Sequence, residues 1–136
     1  MDNNQKEILA KVGVKWEEEL RRFCENEELY VSFLLKFEQD PYYQILKDAL
    51  NKDQFLEAFE AGHTLKGVAG NLGLGDLYRE SGIIVEKLRP INKITGTETM
   101  DELGEDIISQ FKDCKNDMIK LEEVYTRTIE AIKKIQ

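Results

Sequence analysis

His63 is the only histidine in this chain, and Lys66 and Gly67 follow it closely. A neutral imidazole is a nucleophile whose protonation changes near physiological pH, so it can accept a phosphoryl group and release it again. At about 100° per residue on a helix, Lys66, Gly67 and Gly70 all fall within about 60° of His63. This spacing predicts an exposed imidazole with a cation beside it and no bulky side chain around it.

The residues after His63 fit this chemistry. The ammonium of Lys66, one helical turn further on, can approach phosphoryl oxygens as a point charge. Gly67 and Gly70 each weaken a helix by roughly 1 kcal/mol relative to alanine, and here they would clear the surface around the ring. A surface histidine beside helix-packing glycines is the simpler interpretation, but the joint His-x-x-Lys-Gly pattern favours a reactive site.

The run HTLKGVAGNLGL, from His63 to Leu74, resembles the signature of histidine phosphotransfer (HPt) domains of two-component phosphorelays. The resemblance is specific over residues 55–89 and continues as a weaker helical pattern over residues 16–136. It implies an all-α fold, an antiparallel (up-down) four-helix bundle with short additional N-terminal helices. It also implies that His63 carries the phosphoryl group, that Lys66 supports its oxygens and that Gly67 gives it room.

The resemblance further implies the partners. Receiver domains of hybrid sensor kinases and of response regulators would exchange the phosphoryl group with His63 through an aspartate. No cofactor is expected on the chain itself, because Mg²⁺ would be bound by the partner receiver domain. The chain would be a phosphoryl carrier and not an enzyme, since nothing in it resembles a nucleotide-binding domain or a kinase motif.

One position departs from the family pattern. Family members often carry glutamine or glutamate about 22 positions after the histidine, where it can orient the ring, but this chain has Val85 there. The neighbouring Glu86 points roughly 100° away on a helix. Arg89, one turn after Val85, is therefore a further candidate to face the phosphoryl group.

Apolar residues near His63 predict a surface for a partner protein. By helical angle, Leu56, Phe59 and Leu74 fall within roughly 40° of His63. Exposed apolar groups around an exposed nucleophile are typical of a docking surface. Packing of Phe59 beneath a neighbouring helix is an equally good interpretation of that residue. The predicted receiver-docking residues are Leu56, Phe59, Gly70, Asn71 and Leu74.

Composition limits the class of protein. The 136 residues suit one domain, with a helical bundle over residues 14–136 and an N-terminal extension over residues 1–13. The net charge of −8 disfavours nucleic acid and anionic membranes as partners, because both need basic patches. Neither a membrane-spanning stretch nor a signal-peptide h-region is visible, so we expect a cytoplasmic protein, and we expect it to be a monomer.

Local signals predict where the helices begin and end. Gly13, Pro41, Gly73 and Pro90 are predicted to end helices. The predicted N-caps are Asn26, Asp53 and Asp76, and residues 99–102 match a capping box that would open a long last helix after a polar linker over residues 92–98. Cys24 and Cys114 are predicted to be reduced, mostly buried thiols.

Other interpretations fit less well. The run Gly70–Gly75 has the order G-x-x-G-x-G, follows no strand and ends a helix, unlike a dinucleotide-binding loop. No metal site is predicted, because one histidine and two distant cysteines cannot form a zinc or bundle-core site. Two other functions stay open: a helical module that binds receivers without being phosphorylated, and an enzyme that uses His63 as a general base.

Overall fold

The computed structural model of the protein describes residues 1–93 and 104–136. Within these two ranges the elements are all helical and no β-strand occurs, which confirms the predicted all-α class. Short 3-10 segments, Phe37–Gln39 and Arg89–Lys93, continue the third and sixth helices. The α-helices are α1 (Asn3–Ala10), α2 (Trp16–Arg22), α3 (Glu27–Lys36), α4 (Tyr42–Asn51), α5 (Phe55–Leu72), α6 (Gly75–Leu88) and α7 (Glu105–Lys134).

Helices α4 to α7 form the bundle. α5 packs between α4 and α6, and α7 closes the ring by packing against both α6 and α4. The connections 52–54 and 73–74 are so short that α4, α5 and α6 run antiparallel to one another. The structure therefore has the antiparallel four-helix bundle that the sequence predicts. Its core contains large side chains fully shielded from water, among them Leu46, Leu65, Leu77, Ile84 and Phe111.

The three N-terminal helices pack against the outside of this bundle. α1 contacts α7 and α2, whereas α3 contacts α5 and α7. Leu9 and Val12 are buried in the same apolar cluster as the bundle core. Residues 1–13, which were expected to form an extension, are thus packed onto the rest of the described chain.

Helix α5 ends in a tight turn that leads directly into α6. Gly73 has a left-handed φ of 72°, and its N–H donates to the carbonyl of Gly70 at 3.3 Å. The N–H of Leu74 donates to the carbonyl of Ala69 at 2.9 Å. This is the Schellman arrangement, which satisfies the last carbonyls of a helix. The side chain of Glu19 occupies the space where a Cβ at position 73 would lie, so glycine is needed for two reasons.

One predicted N-cap is confirmed and two are wrong. The side chain of Asn26 accepts a hydrogen bond from the first turn of α3 at 3.0 Å. The residue that precedes α5 is Gln54, because the short connection puts Asp53 in a left-handed conformation with φ 55°. The residue that precedes α6 is Leu74, since the Schellman turn leaves no position for a polar cap, and Asp76 falls inside the first turn.

The beginning of α7 was predicted from residues that the structure does not describe. The capping box at 99–102 and most of the polar linker over 92–98 lie outside the described residues. α7 begins at Glu105 after Gly104, whose φ is 88°. Glu105 and Asp106 lie in its first turn, where the helix dipole favours negative charge.

The two cysteines differ in environment. Cys114 is buried as predicted, and this burial raises the pKa of its thiol to about 12. Cys24 is exposed, so its predicted burial is wrong. It lies in the turn between α2 and α3 with a φ of 56°, where helical spacing no longer predicts which side chains face the core.

Tyr30 joins α3 to the end of α5. Its ring is fully buried and lies between Trp16 and Phe23, at centroid distances of 5.3 and 4.7 Å. Its hydroxyl donates to the carbonyl of Leu72 at 2.8 Å. Burial, together with the charge of Glu19, raises the pKa of this hydroxyl well above its usual value. The hydrogen bond holds the C-terminal end of α5 against the N-terminal helices.

Replacement of Tyr30 by phenylalanine should reduce the free energy of unfolding by about 1–3 kcal/mol, because a buried carbonyl loses its donor. Urea denaturation measures this change. The matched control is Tyr42→Phe, since the hydroxyl of Tyr42 makes no hydrogen bond to any residue in the described ranges. Equal stability losses in the two variants would contradict the assigned role of the Tyr30 hydrogen bond.

Candidate functional site: an exposed histidine between α5 and α6

His63 lies in the middle of α5, on the side that faces away from the core. Leu65 and Ala69 on the opposite side of the helix are fully buried, whereas the imidazole is exposed. The ring makes no hydrogen bond to any group in residues 1–93 or 104–136. Its aromatic neighbour is Phe59, one turn earlier, at a centroid distance of 6.0 Å. Both ring nitrogens are thus left available to a partner molecule.

The two glycines after His63 have different roles. At Gly67 no atom lies within 4 Å of the position that a Cβ would take, so the helix surface there is open. At Gly70 the corresponding position is only 3.1 Å from the ring of Tyr78 on α6. Gly67 therefore provides access to the imidazole, whereas Gly70 provides a close contact between the two helices.

Lys66 extends from α5 across the surface of α6. Its Cε lies 3.5 Å and its Nζ 3.9 Å from the position of a Cβ on Gly82. The ammonium is 5.3 Å from the centroid of the Tyr78 ring, a cation–π distance. Lys66, one helical turn after His63, thus reaches across to α6, with its stem lying against a glycine of that helix.

Arg89 lies over the ring of Phe59, one helical turn before the histidine, and its guanidinium is already paired. It donates to both carboxylate oxygens of Glu86, at 2.7 and 3.1 Å, and it lies 5.8 Å from the centroid of the Phe59 ring. The hydrogen bond from Arg89 lowers the pKa of Glu86, and the same bond raises the pKa of Arg89. Arg89 reaches the neighbourhood of His63 through Phe59 while Glu86 neutralises its charge.

Val85, at the position where the family pattern often has a polar residue, packs against α5. Val85 is fully buried, and its Cγ2 lies 3.4 Å from the position of a Cβ on Gly62. Glu86 is exposed and binds Arg89 instead of the imidazole. Within the described residues, no carboxylate or amide group orients the ring of His63 through a hydrogen bond.

The predicted docking residues differ in exposure. Leu56 is 51% exposed, and Asn71 is also exposed. Leu74 is fully buried, so its predicted exposure is wrong: it belongs to the turn after α5, where the helical angle no longer applies. Phe59 is 7% exposed, which fits the alternative that it packs beneath a neighbouring segment, here under Arg89. Gly70 is half-buried beneath Tyr78.

Two residues of this site were missed from the sequence. Tyr78 and Gly82 lie four residues apart on α6 and form the surface on which Lys66 rests. Their spacing from Glu86, again four residues, is a helical signal that was available in the sequence. What the sequence did not reveal is that this face of α6 lies beside Lys66.

A hollow of about 520 Å³ adjoins the histidine face. Gly67, Gly70 and Asn71 of α5 form one wall, and Glu18 and Glu19 of α2 also line it.

Within residues 1–93 and 104–136 no group of three or more His, Cys, Asp or Glu side chains is arranged to hold a metal ion. In the same part of the chain, no helix is long and apolar enough to cross a membrane.

Residues 34–84 match the family model of the Hpt domain. This match supports assignment of the segment to the Hpt domain family. The match runs from the end of α3 through α4 and α5 into α6, and it includes His63, Lys66 and Gly67. Comparison with curated proteins and with solved structures gave no match. Hpt domains serve histidine phosphotransfer in phosphorelays, where they interact with receiver domains, and the histidine within the match is His63.

The open surface at Gly67 leads to a prediction about stability. Gly67→Ala should raise the free energy of unfolding by up to about 1 kcal/mol, because the new methyl group meets no atom and alanine favours the helix. The matched control is Gly73→Ala, which should destabilise the protein through its positive φ and the side chain of Glu19. Thermal melting distinguishes the two. A large loss of stability in Gly67→Ala would mean that this face is packed and not open.

Proposed function

We propose that this protein is a phosphorelay intermediate in which His63 accepts a phosphoryl group from one receiver aspartate and passes it to another. The observation that carries the proposal is the exposed imidazole beside the open surface at Gly67, within the segment that matches the Hpt domain. An imidazole without hydrogen-bond partners in the described chain is available as a nucleophile.

The proposed transfer is a displacement at phosphorus. A neutral imidazole nitrogen of His63 attacks the phosphorus of the receiver's aspartyl phosphate, a P–N bond forms, and the P–O bond to the aspartate carboxylate breaks. The carboxylate leaves as an anion, and the proton on the other ring nitrogen is released to water. The reverse reaction returns the group to a second receiver. In this proposal, Mg²⁺ is bound by the receiver and not by this chain.

The proposal gives Lys66 the task of neutralising charge during transfer. Lys66 lies one turn after His63 on the same helix, so a change of its side-chain torsions would bring the ammonium from the Tyr78 ring to the phosphoryl oxygens. Arg89 is a weaker candidate for this task, because it would first have to release at least one of its bonds to Glu86.

The face around His63 is the proposed docking surface for receivers. Leu56 offers exposed apolar area, and Gly67 and Asn71 border the hollow in front of α2. A receiver must bring its aspartate to within bonding distance of the imidazole, and a helix surface without side chains at Gly67 allows that approach. We further propose that the protein is a cytoplasmic monomer without kinase activity of its own.

His63→Gln tests the nucleophile. Incubation with a receiver domain phosphorylated by acetyl phosphate should give acid-labile label on the native protein and none on the variant. The free energy of unfolding should change by no more than about 0.5 kcal/mol, because the ring is exposed. If the variant is labelled like the native protein, the assignment fails. If the native protein binds receivers but is never labelled, it is an interaction module instead.

Gly67→Gln tests the need for access. The glutamine side chain should fit on the open surface without unfolding the protein, but it should cover the imidazole and reduce transfer from the receiver at least tenfold. Gly67→Ala is the matched control, since its methyl group is too small to cover the ring, and it should transfer at close to the native rate. Normal transfer by a folded Gly67→Gln variant would show that receivers do not approach over this face.

A further inference from the structure

Tyr78 is an exposed aromatic residue beside the histidine site. It lies in the first half of α6, and 46% of its surface is exposed. Its ring contacts a cation, because the ammonium of Lys66 lies 5.3 Å from the ring centroid. Lys66 is the cation that the proposed function assigns to the phosphoryl group.

A glycine on each helix lies at this contact. An edge of the Tyr78 ring approaches α5 closely at Gly70, where a Cβ would be only 3.1 Å from two of the ring carbons. The stem of Lys66 lies beside Gly82 of α6, with Lys66 Cε at an ordinary van der Waals distance of 3.5 Å from the position that a Cβ would take. A side chain at position 70 would therefore push the ring of Tyr78 away from α5.

Lys66 does not form an ion pair with the nearby carboxylate of Glu86. Glu86 lies one turn beyond Gly82, close enough for the positive charge of Lys66 to contribute to the lowered pKa of its carboxyl. Arg89, however, donates to both oxygens of that carboxylate. Within the described residues, Lys66 forms no ion pair with Glu86 and keeps the aromatic ring as its contact.

We propose that Tyr78 is a positioning residue: its ring holds the ammonium of Lys66 beside His63, so that the cation is in place when the phosphoryl group arrives. This inference rests on the proposed function. A free lysine side chain loses much rotational freedom when it binds an anion. A cation held on a ring is already restricted, and a cation–π contact is weak enough to be exchanged for phosphoryl oxygens.

A double-mutant cycle tests this proposal. We would compare the native protein with Tyr78→Leu, Lys66→Ala and the combination of both, and measure the rate of phosphoryl transfer from a phosphorylated receiver. Tyr78→Leu should slow transfer about two- to fivefold, the size expected for an exposed cation–π contact. In the Lys66→Ala background the same substitution should have no further effect, because the cation that it positions is gone.

Two other variants serve as controls. Tyr78→Phe keeps the ring without the hydroxyl and should transfer at the native rate. Phe33→Leu removes another exposed ring with a lysine, Lys36, at the same 5.3 Å, but on α3, and it should leave the rate of phosphoryl transfer unchanged. NMR gives a readout independent of transfer: the ε-methylene protons of Lys66 should show a ring-current shift that is lost in Tyr78→Leu and kept in Tyr78→Phe.

Each outcome supports the proposal or overturns it. The proposal is supported if Tyr78→Leu slows phosphoryl transfer, Tyr78→Phe transfers at the native rate, and Tyr78→Leu adds no further loss to that of Lys66→Ala. Native rates in Tyr78→Leu overturn it, and so does an equal further loss in the Lys66→Ala background, which would mean that the ring acts elsewhere. Absence of any ring-current shift in the native protein also overturns it, whether or not Tyr78→Leu folds. If the native protein accepts no label, the proposed function itself fails. If the native protein is labelled and Tyr78→Leu transfers at the native rate, only the inference about Tyr78 is rejected.

Discussion

The close approach of α5 and α6 is the contact on which the site depends. Gly62 allows Val85 to pack directly against α5 at one level of the interface. Gly70 allows the ring of Tyr78 to approach α5 closely, and the stem of Lys66 lies beside Gly82. Each glycine weakens its helix by roughly 1 kcal/mol relative to alanine, so tertiary packing has to compensate for this loss. The result is a face on which Lys66 of α5 reaches across to Tyr78 of α6.

Basic side chains lie on the histidine face, although the chain as a whole is acidic. The chain carries a net charge of −8, yet Lys66 follows His63 by one helical turn, and Arg89 lies over Phe59, which precedes His63 by one turn. Each cation rests on an aromatic ring, Lys66 on Tyr78 and Arg89 on Phe59. The aliphatic stem of such a side chain can lie along apolar surface while its charged group stays in solvent. Because Glu86 pairs with Arg89, Lys66 is the cation that the proposed function assigns to the phosphoryl group.

The sequence predicts well what depends on one helix alone. The side of α5 on which His63, Lys66 and Gly67 lie follows from helical periodicity, and the end of α5 follows from Gly73. The bundle itself follows from apolar spacing and short connections. Leu74 was misplaced because the periodicity was extended past the end of the helix, into a turn where its direction no longer holds.

Contacts between helices could not be predicted in the same way. The positions of Lys66 over Tyr78 and of Arg89 over Phe59 depend on the rotation of α6 relative to α5, which no single-helix pattern specifies. The most direct test of the central claim is ³¹P NMR of the intact protein after incubation with a phosphorylated receiver domain. The account predicts one nitrogen-linked phosphorus resonance that is absent from His63→Gln. A resonance from another residue, or none while the receiver keeps its phosphoryl group, would contradict it.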